Sequence, residues 1–395
     1  MKPPHSIGPG RATFLLVSIL LLLPVAAGTM RRVSAQSAEG GDDSLYKHLS
    51  VFTEVLSLIQ RSYVDDTSLE RLFAGALDGT TDALDPLATY VPAQSVETFR
   101  RALEVGAGHS GLTVARDSGI SYIVAVESGS PGAKAGVESG DILAKIDGRS
   151  TREMPLWRLQ TWLAEDSASV QIELLRRGQS VEVALALGPF ERVGPSVRTE
   201  EGVPVLRIVN FESEMVAKVG SLLENVEIAN SPRLVVDVRG VAGGSPQAAF
   251  DVAAFFASGL LGELRGRGES LATYDNGAEP LWLGRLAVLA DGGCQGPCEV
   301  FLAAVREISG TDFVGHRTFG HAGRRASHNL STGATLFFTD AFYSGPDGEV
   351  IDRGLEPEVR VEASRQMLGG GESGVGDPAL KRALELLMEE ERQAA

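Results

Sequence analysis

Cations are scarce in this chain. Of 395 residues, 36 are Lys or Arg and 52 are Asp or Glu, which leaves a formal net charge of −16. A surface of that sign repels phosphate and argues against a nucleic-acid binder. Cysteine is scarcer still, and its two residues, Cys294 and Cys298, allow at most one internal crosslink. No internal repeat is present, which argues against a repeat array. Charged residues reach only 22% against 43% hydrophobic, so the chain is globular rather than disordered, with length for two or three domains and a sizeable core.

What is present begins with a targeting segment. Lys2 and Arg11 precede the apolar run "ATFLLVSILLLLPVAAG", and "VSAQ" offers a small-x-small site after Ala35. Residues 1–35 therefore predict export to a periplasmic or other extracytoplasmic compartment. Arg31 and Arg32 lie beyond the run, where positive charge resists translocation, so an uncleaved N-terminal membrane anchor stands beside a cleaved signal.

The remaining text changes pattern several times. Over 36–104 apolar residues recur at helical spacing, as in "LYKHLSVFTEVLSLIQRSYV". Over 105–190 short β-rich runs are separated by glycine turns, with one helix around "LWRLQTWLAED". Over 191–362 strands and helices alternate: "PVLRIVNF", "RLVVDVRG", "RLAVLA" and "TDFVG" each border a helical run. That alternation predicts an α/β core with a mainly parallel sheet, so the class is α/β in a multidomain α+β arrangement. A Gly-rich linker and an amphipathic helix, "DPALKRALELLMEEE", complete 363–395.

The words "GHSGLTV" and "VESGSPGAKAGVESGDILAKIDGRS" make the middle segment resemble a PDZ domain. The resemblance implies that the amides of Gly111, Leu112 and Thr113 receive the carboxylate of a protein C-terminus, with the tail adding as a strand. Glycine permits the close approach, and successive N–H groups suit an anion. His109 precedes that loop and reads as a surface residue, while Trp157 and Trp162 read as packing residues.

The chain as a whole resembles the carboxyl-terminal processing peptidases, or tail-specific proteases. The likeness is carried by "RSYVDD", "ALDPLATYVP", "VDVRGVAGG" and "TDAFYSGPDGEVIDRGLEPEV", in the family's order. In that family a serine at a strand-to-helix turn is activated by a buried neutral lysine. The resemblance places the serine three residues before an acid, which here is Glu299, and the lysine 25 residues later. The nucleophile position is then Gly296 in "DGGCQGPCE", and the base position is His321 in "RTFGHAG". The family's supporting glutamine falls on Arg325. The residue after the serine, which supplies an oxyanion N–H, is Pro297, which has none. Gly243 and Gly244 remain as the other oxyanion donors, and Asp237 and Arg239 frame the site.

No member of the dyad is intact, and yet the junction suits a helix start, with Gly296 at the N-cap and Pro297 at the first helical position. The expectation is a catalytically inactive relative that needs no cofactor and binds protein C-terminal tails, as an adaptor or as a modulator of an active relative. Two other readings use the cysteines. Cys298 in the first turn of a helix, with His321 as base, would make a Cys/His peptidase. Cys294, Cys298, His316, His321 and His328 loosely follow zinc spacing and would make a metal-stabilised scaffold. A Cys294–Cys298 disulfide is the plainer outcome in an oxidising compartment.

Overall fold

A computed structural model describes residues 44–106, 108–166, 169–308, 311–361 and 377–389. The expected signal or anchor and the linker over 363–376 lie outside the described residues. Among those described, no helix is long and apolar enough to cross a membrane.

The helical spacing of the N-terminal region yields α1 over 44–62 and α2 over Leu69–Asp82. Phe52 and Phe73 meet edge to face there, with centroids 5.8 Å apart. The chain divides after Ala76, and Leu77–Ala395 is a compact unit of its own. That unit continues with strand β1 (Thr89–Val91) and helix α3 (Val96–Val105).

The β-rich segment folds as one antiparallel sheet. Its strands are β2 (Leu112–Asp117), β3 (Ile120–Val126), β4 (Ile142–Ile146), β5 (Arg149–Ser150), β6 (Val170–Arg176) and β7 (Gln179–Leu185). They run in the order β2-β3-β4-β6-β7 with β5 on β4, so β2 is an edge. A short helix α4 (Pro131–Lys134) follows β3, and α5 (Leu156–Ala164) precedes β6. Leu156, Leu159 and Leu163 recur at helical spacing and bury one stripe of α5 against Leu112, Val114, Leu143 and Leu174. Trp157 packs on the Val91, Phe99 and Phe337 cluster, and Trp162 lies beneath the guanidinium groups of Arg149 and Arg158.

The last region contains β8 (Ser196–Glu200), β9 (Val203–Arg207), α6 (Ser213–Leu223), α7 (Val226–Ala229), β10 (Arg233–Asp237) and α8 (Pro246–Ala253). It continues with β11 (Gly259–Arg265), β12 (Ser270–Asn276), β13 (Arg285–Ala290), α9 (Pro297–Arg306), β14 (Thr311–Gly315) and β15 (Gly323–Asn329). It ends with β16 (Thr335–Ser344), β17 (Val359–Arg360) and α10 (Pro378–Glu389).

Its central sheet has the order β17-β14-β13-β10-β9-β8. Every pairing is parallel except β8 on β9. Runs such as "LVVD" and "LAVLA" are apolar on both faces because both faces are covered. On one face Val236 and Val288 join the side chains of α8 and α9, and on the other Val235, Ala287 and Leu289 meet α10. The mixed α/β class and the mainly parallel sheet agree with the sequence pattern. A second sheet, β1-β16-β11-β12 with β15 on β16, has no counterpart in that pattern. Two of its strands, β12 and β15, are mostly polar and exposed, as in "GRRASHN", and carry little apolar signal.

Candidate functional site

The parallel sheet delivers β13 to the start of α9, and the turn between them is stitched on two sides. Asp291 Oδ1 accepts from the amides of Gly240 (2.8 Å) and Gly293 (3.0 Å), and the Gln295 amide donates to the Val241 carbonyl (3.0 Å). These bonds join the turn to the loop after β10. The Phe319 amide donates to the Cys294 carbonyl (3.0 Å), which joins it to the loop after β14. Strand β3 lies against the turn as well: a Cβ on Gly293 would stand 2.9 Å from Gly240 Cα and 3.2 Å from the Val124 carbonyl oxygen.

Gly296 caps α9 at φ 57°, ψ −108°. Only glycine takes that conformation without strain, and it is the sharp strand-to-helix bend on which hydrolases mount a nucleophile. Nothing lies within 4 Å of the point where its Cβ would be. The elbow therefore keeps its bend and its open space while carrying no side chain. Pro297 occupies the first helical position and is buried.

Beneath the elbow sits Glu299, fully buried. Its Oε2 accepts from the amides of Gly296 (3.1 Å) and His321 (2.9 Å), and its Oε1 accepts from Thr318 Oγ1 and the Gly320 amide, both at 2.5 Å. Burial pushes this carboxyl up to about 7, against the pull of those four donors. One carboxyl thus holds positions 296 and 321 side by side.

His321 is 5% exposed. Its Nε2 is 2.9 Å from Thr339 Oγ1 on β16 and 3.7 Å from Asp85 Oδ1, and its ring meets Phe342 edge to face. Burial lowers its pKa below the usual 6.5, Asp85 opposes that shift, and Arg325 adds to it. Arg325 itself lies between the rings of Phe99 and Phe337, each centroid 5.5 Å away, and donates to the Leu87 carbonyl (2.8 Å). Burial presses its pKa down to about 10.

Gly243 and Gly244 are exposed. The Gly243 carbonyl accepts from the Phe211 amide (2.9 Å) and the Ser245 amide donates to the Phe211 carbonyl (2.8 Å), which turns the Gly244 amide away from that ladder. Asp237 and Arg239 form a buried ion cluster: Arg239 Nη2 lies 2.7 Å from Asp237 Oδ2 and 2.8 Å from Asp377 Oδ2, and Arg207 Nη1 lies 3.2 Å from Asp237 Oδ1. Burial alone would raise the Asp237 carboxyl, but Arg207 and Arg239 bring it down to about 2. The pair is a brace, since Asp377 also caps α10 through the Ala379 and Leu380 amides.

In the sheet of β2 to β7, Gly111 has φ 72° and sits tightly against Ser130. The Leu112 amide donates to Ser110 Oγ at 3.2 Å, the Leu112 side chain is buried, and Thr113 is half-buried. His109 is half-buried, and its Nδ1 has no partner among the described residues.

Comparison with known proteins bears on this arrangement. Residues 122–177 match the family model of the PDZ domain, and residues 202–361 match Peptidase family S41. Carboxy-terminal processing protease CtpA of Bacillus subtilis is 23% identical over 89% of this chain and 75% of its own length. The carboxy-terminal-processing protease of Bartonella bacilliformis is 24% identical over 84% of this chain and 79% of its own. This chain is a PDZ-containing homologue of the carboxyl-terminal processing proteases. Its fold is similar to that of the photosystem II D1 C-terminal processing protease, with a TM-score of 0.64, 21% identity, and coverage of 79% of this chain and 92% of the other.

The site of this homologue corrects both cysteine readings. Cys294 and Cys298 are bonded to each other, with Cα atoms 5.4 Å apart, and each is fully buried. Cys298 is neither a free thiol nor accessible, so it offers no nucleophile. The zinc set does not assemble: His321 is held by Thr339, His328 stacks on Phe338, and His316 is half-buried at the start of the loop that carries His321. Among the described residues no group of three His, Cys, Asp or Glu could hold a metal. Asp85 and Thr339 were missing from the sequence reading as site residues, although both lie in words quoted for the family likeness, "ALDPLATYVP" and "TDAFYSGPDG".

Proposed function

We propose that this homologue is an exported pseudopeptidase that binds the C-terminal tails of other exported proteins without cutting them. The observation that carries this reading is Gly296: the elbow keeps its bend and its open space, and it presents no hydroxyl or thiol. His321 is committed to Thr339, and Pro297 removes an oxyanion donor, so no covalent acyl route starts here. The PDZ domain supplies the binding function, through the loop at Gly111, Leu112 and Thr113. Its partners are then protein tails, together with an active peptidase relative whose access to those tails it modulates. The acidic surface keeps nucleic acid away.

The experiment is a turnover assay on the purified chain with an unstructured protein ending in an apolar tail, read by mass spectrometry, beside a binding assay with the same tail. Expected are intact substrate and affinity that collapses when the tail is amidated. New peptide termini that persist through stringent purification would overturn the inactive assignment, and equal affinity for the amidated tail would overturn the binding assignment.

A further inference from the structure

Strand β2 is an edge strand, and its outward groups can be assigned from its bonds. The Arg116 amide donates to the Pro86 carbonyl at 3.1 Å, which turns residue 116 away from β3. Opposite Val114 stands Ile123, whose amide donates to the Asp141 carbonyl and whose carbonyl accepts from the Gly140 amide, each at 2.8 Å. Ile123 thus faces β4, and the Val114/Ile123 pair is not mutually bonded. Outward positions on β2 are therefore Leu112, Val114 and Arg116. The Leu112 amide is held by Ser110 Oγ, a hydroxyl that an arriving carboxylate must displace, and the Arg116 amide by Pro86, so the outward amide between them is that of Val114, a residue only 2% exposed.

The segment that takes Arg116 is itself held from several sides. Asp85 Oδ2 accepts from the Thr339 amide (3.1 Å), Asp85 Oδ1 accepts from the Leu87 amide (2.8 Å), and the Leu87 carbonyl accepts from Arg325. Thr89 Oγ1 accepts from the Trp157 amide of α5 at 3.4 Å. This short strap therefore runs from the edge of β2 to the pocket of His321, where Asp85 Oδ1 lies 3.7 Å from Nε2.

We infer that residues 85–89 form a strap that limits how much of a protein tail β2 can read. The inference rests on the tail-binding reading above. A tail whose carboxylate sits at Gly111–Leu112 places its third-from-last residue beside Val114, because strand rungs recur every two residues. Its fifth-from-last residue would need the Arg116 amide, which Pro86 holds. Recognition is then confined to roughly the last three or four residues, and any further pairing must break the Pro86 bond and loosen Asp85 from Thr339. The partner that leaves Pro86 in place is a C-terminus that is short or turns abruptly after its last few residues.

The test uses the full chain and two peptides with one apolar ending, of roughly four and roughly eight residues, followed by fluorescence anisotropy. Expected is affinity equal within about twofold for the two lengths, and in Asp85→Ala a gain of about tenfold for the long peptide alone. Affinity that climbs with length in the unaltered chain, or one length profile shared by both proteins, overturns the strap while leaving tail binding intact. Amide hydrogen exchange reads the strap without any peptide: Asp85→Ala should speed exchange at Arg116 at least about tenfold while the inward Ala115 amide stays unchanged. Equal exchange at Arg116 in the two proteins overturns the inference. Loss of carboxylate dependence overturns the tail-binding reading and leaves the exchange result to stand on its own.

Discussion

His321 Nε2 lies 2.9 Å from Thr339 Oγ1, so the imidazole at the base position bonds to the second sheet.

Restoring the hydroxyl alone should not restore chemistry. Gly296→Ser is expected to resist labelling by a fluorophosphonate probe, since His321 remains engaged and Pro297 still lacks an N–H. Combining it with Pro297→Ala and His321→Lys should produce labelling, read by intact mass. Serine at a φ of 57° also strains the backbone, and the single variant should lose about 1–2 kcal/mol in a urea titration. Labelling of Gly296→Ser by itself would show that a base reaches the elbow after all.

Glu299→Gln should be among the most damaging single changes near the site. The amide keeps one acceptor oxygen and turns an NH2 group toward backbone donors that two carboxyl oxygens now satisfy. A loss of roughly 2–3 kcal/mol is expected, measured as a shift of the denaturation midpoint at constant slope. A change below about 0.5 kcal/mol would mean the four contacts are not the clamp described.

Acidity should act through His321 with a definite sign. Its folded pKa is lowered from 6.5, so the unfolded chain takes up the proton first as pH falls, and the contribution present above 6.5 is lost on going below it. Glu299, raised from 4.5 to about 7, works in the opposite sense across that interval because its native form holds the proton more tightly. The net curve mixes the two, but the difference between the unaltered chain and His321→Asn isolates one. That difference should favour the unaltered chain most above pH 7 and shrink toward pH 5, in denaturation midpoints taken at matched ionic strength. A difference independent of pH would mean that the histidine does not titrate with folding.

Removing the crosslink should weaken the fold modestly and leave binding alone. The Cys294–Cys298 loop is very short, and loop-closure entropy assigns it about 2 kcal/mol. Cys294→Ala combined with Cys298→Ala is therefore expected to lower Tm by several degrees while tail affinity stays within about twofold. A tenfold change in tail affinity would instead tie the elbow to the PDZ edge through β3.

Much of this was legible before any coordinates. The strand-to-helix junction is readable from an apolar run, three glycines and a proline before a helical run, and the family resemblance, counted back from Glu299, places the elbow at Gly296. The PDZ strands were readable from alternating apolar residues and glycine turns. What escaped was set by distance in the chain. Nothing local in "ALDPLATY" says that Asp85 will reach His321, and nothing in "RTFGHAG" says that the histidine will be sealed under Phe342. Arg325 read as a lost glutamine, whereas the fold sets it between Phe99 and Phe337, two rings from distant segments. Glu299 served as a landmark for counting, and its role as the acceptor joining two loops needed the fold around it.

One face of the central sheet carries a consequence for how the chain is made. Val203, Val205, Val235, Ala287, Leu289 and Val314 are covered by Ala379, Leu380, Ala383, Leu384 and Leu387 of α10, which follows every strand of that sheet. A ribosome therefore releases all the strands before it releases their cover. Until about the last turn of α10 emerges, that apolar face has no partner from its own chain, and nascent molecules need another surface to shield it.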